Sequence, residues 1–358
     1  MSDDAGSRSR AWEPVLIAAG AVALTAVVGS ILLLAGGHSP VAAAAALVNG
    51  SVGSWRTFVS ITLVRAVPLT FTGLAVALAF RAGVWNIGAE GQLYAGAICA
   101  VAAGLSLAWM PGLVLVPIVL GASAFGGAAW AAVPTVMRVR FGVGEVITTL
   151  LMNYVGIHLA AYMVHGPLQE ARGVFPQSEA IPAAARLPLL LPGTRLHLGF
   201  AVAVILAIAM AVLMRRSRFG FQIRALGAAP EVARVSGRIR TTRVLAITFL
   251  ASGAIAGLAG GVQVSGVTYT LLESFSPGWG YTAIAVALLA GIHITGLGDP
   301  IGVIVTGVLF GALQAGAGAM QRDAGIPQVW VGVVEALVIL AVLGLDRVRR
   351  TRLTERAP

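Results

Sequence analysis

The sequence predicts an all-α polytopic membrane protein of about ten transmembrane helices, with both termini in the cytoplasm. Three observations predict it. Hydrophobic residues make up 58% of the 358, another 45 residues are Gly, and only 11% are charged. Soluble domains run nearer roughly 45–50% apolar and about 25% charged, and no water-soluble fold hides this much apolar surface. The apolar residues also come in runs close to the ~20 that a membrane helix needs. Finally, all 24 basic residues are Arg, and they gather at the ends of those runs.

Taken in order, stretches bounded by charge, Pro or Gly fall at 14–36, 59–80, 84–108, 112–134, 145–165, 196–214, 244–265, 279–293, 300–319 and 328–345. A cleavable signal peptide competes for the first, because Val41 to Ala46 imitates a small-residue cleavage site. Against it, the run exceeds the usual ~7–15-residue apolar core, and Asp3 and Asp4 stand where basic residues belong. An uncleaved span is the better reading. The eighth stretch is short and Gly-flanked.

Charge sets the orientation. Eighteen Arg fall on the side of the N-terminus. Arg56, Arg172, Arg186, Arg195 and Arg322 fall on the other, with Arg65 inside a span. Cytoplasmic loops carry such an excess. Residues 1–13 then form a cytoplasmic tail, 14–345 the membrane domain and 346–358 a basic cytoplasmic tail. The same flanking pattern reads the Arg as topology signals rather than a nucleic-acid surface.

What is missing excludes several chemistries. Without Lys there is no standard phosphate-loop ATPase site and no Schiff-base chemistry. One Cys, Cys99, makes no internal disulfide or Cys-based metal site. The five His are scattered without an HExxH, and no GxGxxG occurs. The chain reads as a non-enzyme that holds no cofactor or metal.

Two connections are long. Residues 166–195 hold five Pro and are expected outside, as a folded-over flap or short helix. Residues 215–243 are expected inside. There Pro230, Glu231, Val232, Ala233, Arg234 and Val235 read as a short helix with Pro and Glu in its favoured first turn and Gly237 as its stop. Ringed by Arg, it suits docking to another protein or to lipid headgroups.

Polar groups inside apolar spans are functional candidates by default. The richest stretch is Phe80-Arg-Ala-Gly-Val-Trp-Asn-Ile-Gly-Ala-Glu-Gly-Gln-Leu-Tyr94. Its three Gly weaken a helix, and Asn86, Glu90 and Gln92 bring side chains that lipid penalises. A broken helix lining a cavity or packed on protein is expected, with a solvated loop as the plainer alternative. Glu145 fits the positive end of a helix. Asn153 and Tyr154, ~12 Å deeper at 1.5 Å per residue, either join helices or line a path for a polar solute. Gln263, Tyr269, Glu273 and Trp279 cluster around Gly278 and Gly280 as a second Gly-interrupted polar stretch, a weak sign of internal repetition. Gly253-x3-Gly257-x3-Gly261 and Gly307-x3-Gly311 read as packing ladders.

These residues carry a resemblance. Arg81-Ala-Gly-Val-Trp-Asn-Ile-Gly-Ala-Glu-Gly-Gln92 resembles the Phe-Asn-Ile-Gly-Ala-Glu-Gly-Gln signature of nucleoside-type ABC importer permeases. These are part of the larger family of ribose, simple-sugar and branched-chain amino-acid permeases. Further similarity lies in Gly144 to Tyr154, Gly220 to Gly237, Gly278 to Leu289 and Gly302 to Leu313. The resemblance implies a permease in a bacterial inner membrane, paired with a second permease subunit, either a copy or a paralogue. It also implies a cytoplasmic ABC ATPase that holds the ATP and Mg, and an extracytoplasmic substrate-binding protein. Residues 215–243 become the coupling loop, with Pro230, Glu231, Val232, Ala233 and Val235 touching the ATPase. Asn86, Glu90, Gln92, Asn153 and Tyr154 become the substrate path. Sugar permeases typically carry a Gly-Gly-Ile-Asp-Leu-Ser-like motif where Asn86 to Gln92 stands, so nucleosides are the expected substrate and a ribose-like sugar the alternative. Glu335-Ala336 departs from the family's tendency toward Gln-Gly. A proton-coupled secondary transporter using Glu90, Glu273 or Glu335 is the competing class.

Overall fold

The computed structural model describes residues 26–235, 237–293 and 299–327, with single positions near either end (20, 23, 24, 330, 332, 333, 336, 337, 340 and 344). The tails 1–13 and 346–358, and most of the expected spans 14–36 and 328–345 with Glu335, lie outside the described residues. The described residues are helical almost throughout. In order the helices are α1 (Ala26–Ala35), α2 (Pro40–Val52), α3 (Trp55–Arg81), α4 (Ala89–Ser106), α5 (Gly112–Phe141) and α6 (Glu145–His165). They continue as α7 (Gly199–Arg216), α8 (Arg218–Ala228), α9 (Pro230–Val235), α10 (Thr241–Thr268), α11 (Trp279–His293) and α12 (Pro300–Ala324).

The expected count of about ten spans is corrected. Among the described residues six helices are long and apolar enough to cross a membrane: α3, α5, α6, α7, α10 and α12. The expected span 84–108 loses its first turns, because residues 82–88 are not helical, and the remaining α4 opens on Glu90 and Gln92. The expected span 279–293 is short, as is the described part of 14–36. Apolar composition marks burial in protein as readily as burial in lipid. Helix α4 is enclosed by its neighbours along most of its length.

Local chemistry sets the helix ends. The Ser39 hydroxyl accepts from the Ala42 N–H at 3.3 Å with Pro40 in the first turn, which starts α2. Gly142 and Gly325 take left-handed φ values of 67° and 65° and close α5 and α12.

Small residues bring the central helices into contact. A Cβ at Gly96 of α4 would run into the Gly257 carbonyl of α10, and one at Gly127 of α5 into the Gly253 carbonyl. Between them the Ser123 hydroxyl donates to the Gly257 carbonyl at 2.5 Å and accepts from the Gly261 N–H at 3.0 Å. The expected ladder Gly253, Gly257 and Gly261 is thus the seam joining α10 to α5 and α4. Gly307 and Gly311 of α12 similarly face Thr70 and Ala66 of α3. Lipid supplies no hydrophobic drive between helices, so such close packing is the main source of cohesion.

Opposite the Arg-rich end, residues 166–198 lie over the last turn of α10 and the chain that follows it. The Ile181 N–H donates to the Tyr269 carbonyl at 2.8 Å, Ser178 to Leu271 at 2.9 Å and Leu187 to Ser265 at 2.8 Å. Pro limits this segment to one 3-10 turn, Ala183–Ala185. Tyr269 carries a positive φ of 59°, and the Arg186 guanidinium sits 4.4 Å over its ring. His197, just before α7, is fully buried against Gly266, and that burial pushes its imidazole down to about 4.

Candidate solute path and coupling segment

The break between α3 and α4 begins at Gly83, whose φ of 75° only Gly adopts freely. The Val84 N–H donates back to the Ala79 carbonyl at 3.1 Å and the Gly83 N–H to Phe80 at 3.0 Å, which closes α3. The chain then runs without regular structure to Gly88, with Trp85 half-exposed and Asn86 fully buried, and its polar groups are satisfied by side chains. The Asn86 amide donates to the Gln92 Oε1 at 2.9 Å and to the Ser252 hydroxyl at 2.8 Å. Its Oδ1 accepts from the Gly88 N–H at 3.0 Å and from the Gln92 amide at 3.1 Å. Ser252 in turn donates to the Ala75 carbonyl at 2.6 Å. One buried Asn therefore ties α3, α4 and α10 together.

Asn153 performs the matching task from α6. Its Oδ1 accepts from the Gly91 N–H and its amide donates to the Ile87 carbonyl, each at 2.8 Å. Glu145, at the start of α6, accepts from the Trp85 N–H at 3.4 Å and pairs with Arg138 at 3.3 Å. Glu90 reaches the opposite way: its carboxylate accepts from the Gly280 N–H at 2.6 Å, beside the Ser276 side chain. That N–H belongs to the first turn of α11, where a carboxylate is favoured. The Tyr94 hydroxyl accepts from the Ser276 N–H at 3.1 Å. The two Gly-interrupted polar stretches of the sequence thus meet through Glu90 and Tyr94.

Asn86, Glu90, Gln92 and Asn153 are brought together inside the protomer and are each almost fully buried. Tyr154 is not with them. It is 56% exposed on the outer face of α6, with His158 and Tyr162 above it on the same face and Tyr281 of α11 alongside. Glu273 lies 4.0 Å from His165 at the far end of that helix. Ser252 and Tyr281 carried no signal in the sequence beyond being polar residues in apolar runs.

At the Arg-rich end α9 covers Pro230–Val235, between Ala229 and a left-handed Gly237. Glu231 pairs with Arg234 at 2.7 Å, Ala233 is buried, and Val232 and Val235 are 69% and 78% exposed. Helix α8 ahead of it was not expected. Its signal was Ser217, whose hydroxyl accepts from the Gly220 N–H at 2.8 Å. A cleft of about 900 Å³ beside it is lined by Arg215, Arg216, Arg218, Arg224 and Arg238.

A polytopic helical bundle with a polar break in its interior and a charged segment on one face is the form of a transport subunit. The chain belongs to the family described as branched-chain amino acid transport system permease component, whose model matches residues 58–343. It is 36% identical over 351 residues to the glucose ABC transporter permease protein TsgB13 of Haloferax volcanii, covering 95% of this chain and 88% of that one. It is 34% identical over 336 residues to the guanosine ABC transporter permease protein NupP of Bacillus subtilis, covering 92% and 93%. It is 32% identical over 337 residues to the nucleoside ABC transporter permease protein NupB of Lactococcus lactis, covering 92% and 90%. The chain is therefore an ABC-importer permease subunit, a multi-pass membrane protein rather than an enzyme. The family sets aside the proton-coupled carrier. It does not separate sugar from nucleoside, so the expected preference for nucleosides over a ribose-like sugar is reduced to the coarser class.

Proposed function

We propose that this chain forms one wall of the path for a neutral, hydroxyl-rich solute, with a simple sugar as the first reading. The observation that carries this is the uncovered face of α6, where Tyr154, His158 and Tyr162 stand on a helix of membrane length. Lipid disfavours a His and a Tyr hydroxyl at mid-span, whereas a second permease subunit facing this wall encloses a polar channel. Tyr and His bond hydroxyls and pack on rings. Asn86, Glu90, Gln92 and Asn153 serve the path from behind by fixing the break on which α6 rests.

The glucose permease relative supports the sugar reading. The guanosine and nucleoside permease relatives, with the 81–92 motif, support a nucleoside as the second. Both solutes carry a hydroxylated ring. The remaining partners are a cytoplasmic ABC ATPase docked on Pro230, Glu231, Val232, Ala233 and Val235, and an extracytoplasmic binding protein, all at a bacterial inner membrane.

ATP-dependent uptake of labelled glucose and labelled guanosine into vesicles bearing the whole transporter tests the assignment. Glucose uptake resisted by excess guanosine supports the sugar, and the reverse pattern the nucleoside. Uptake of neither, with active ATPase, sinks both.

A further inference from the structure

The Arg residues that break the charge rule are not scattered. Of the six that fall outside or within a span, Arg65 and Arg322 meet at the end of the molecule opposite the cytoplasmic Arg cluster, with Arg195 near them and Arg56 tied to the segment that carries Arg195. Arg65 of α3 and Arg322 of α12 both reach over Gly318, their guanidinium nitrogens 3.6 and 3.1 Å from where a Cβ there would stand. Arg195 is the next charge felt by Arg65. Arg56 donates to the Gly193 carbonyl at 3.4 Å, two residues from Arg195. Among the described residues none of the four makes an ion pair, and Asp323, beside Arg322 in sequence, pairs with none of them. The other two exceptions differ: Arg186 is engaged with Tyr269, and Arg172 is exposed on the 166–198 segment.

Four like charges without a counter-charge repel one another, and Arg65 is half-buried. An anion relieves both costs. We propose that Arg56, Arg65, Arg195 and Arg322 bind the phosphate of an anionic phospholipid in the outer leaflet. Arg65 lies ten residues inside the membrane helix from Trp55, somewhat under about 15 Å at 1.5 Å per residue because Phe58–Thr62 is a π-helical turn. Side chains on a helix tilt toward its N-terminus, which for α3 is this same face, so the Arg65 guanidinium rises toward headgroup level. Trp55 and Phe58, 6.5 Å apart, sit at that level as aromatic residues do at a membrane interface. Guanidinium forks suit phosphate oxygens.

The test is lipid retention by the assembled transporter, purified from membranes and exchanged into phosphatidylcholine nanodiscs doped with phosphatidylglycerol. Retained phosphatidylglycerol is counted by mass spectrometry. Arg195→Gln with Arg322→Gln changes only exposed side chains and leaves the fold intact; Arg65→Gln extends the series. Retention should fall about fivefold per Arg removed and stay unchanged in Arg172→Gln. Inorganic phosphate alone should not displace the lipid. Three results overturn the proposal: retention equal in the double variant and the parent; displacement by inorganic phosphate, which marks a free-anion site; or loss of a protein subunit with lipid retention unaltered, which marks an acidic protein partner.

Discussion

Asn153 and Tyr154 are adjacent in sequence and opposite in environment. Asn153 is fully buried and holds Gly91 and Ile87, whereas Tyr154 faces outward. Their substitution should therefore fail in different ways. Asn153→Leu strands the buried Gly91 N–H, costing about 1–3 kcal/mol, and frees the partly buried Ile87 carbonyl, so thermal stability in detergent falls and less transporter assembles. Tyr154→Leu touches no internal bond. Its stability should stay within about 0.5 kcal/mol of the parent while uptake falls. Equal stability loss in both, read by thermal shift alongside uptake, would reject this division. The sequence made both residues visible as polar groups in an apolar run. It did not say which faced inward, because a helix apolar on every side has no stripe to orient it.

At the scale of the element, α9 was legible because its ends are written in single residues, Pro230 and Gly237. Its exposed Val232 and Val235 form a small apolar contact three residues apart, and Val232→Asp puts a charge in it without touching a span. Insertion should be normal, with ATPase co-purification and uptake lost; co-purification at parental level would be evidence against docking there. Helices α2 and α8 start on equally plain signals, Ser39-Pro40 and Ser217. Those signals are masked in the sequence, where a small-residue cleavage pattern and a basic loop fit the same residues. The span count failed for a different reason. Hydropathy measures distance from water, and the expected span 84–108 is cut by the non-helical residues 82–88 and by Glu90 and Gln92, leaving in α4 a helix as long as α7 but opening on polar side chains.

For the whole molecule, orientation rests on the asymmetry of Arg. With Cys99→Ala as background, Val174→Cys and Val235→Cys expose single thiols on opposite faces. A membrane-impermeant maleimide added outside should label the first and spare the second in intact cells; labelling of both would undo the topology. The break at 82–88 was legible from its Gly and polar residues, but its partners were not. Ser252 and Gly280 lie far along the chain and meet it only after the bundle closes. The seam where Gly96, Gly127, Gly253 and Gly257 meet has a mechanical consequence. With backbone against backbone and only the Ser123 hydroxyl bonded between, few side chains are left to shear, so α4, α5 and α10 are expected to move as one stiff lever. A displacement imposed at one end of that lever arrives at the other as a tilt, undamped by repacking. One methyl group added at Gly257 would act as a wedge whose effect is felt a full helix length away.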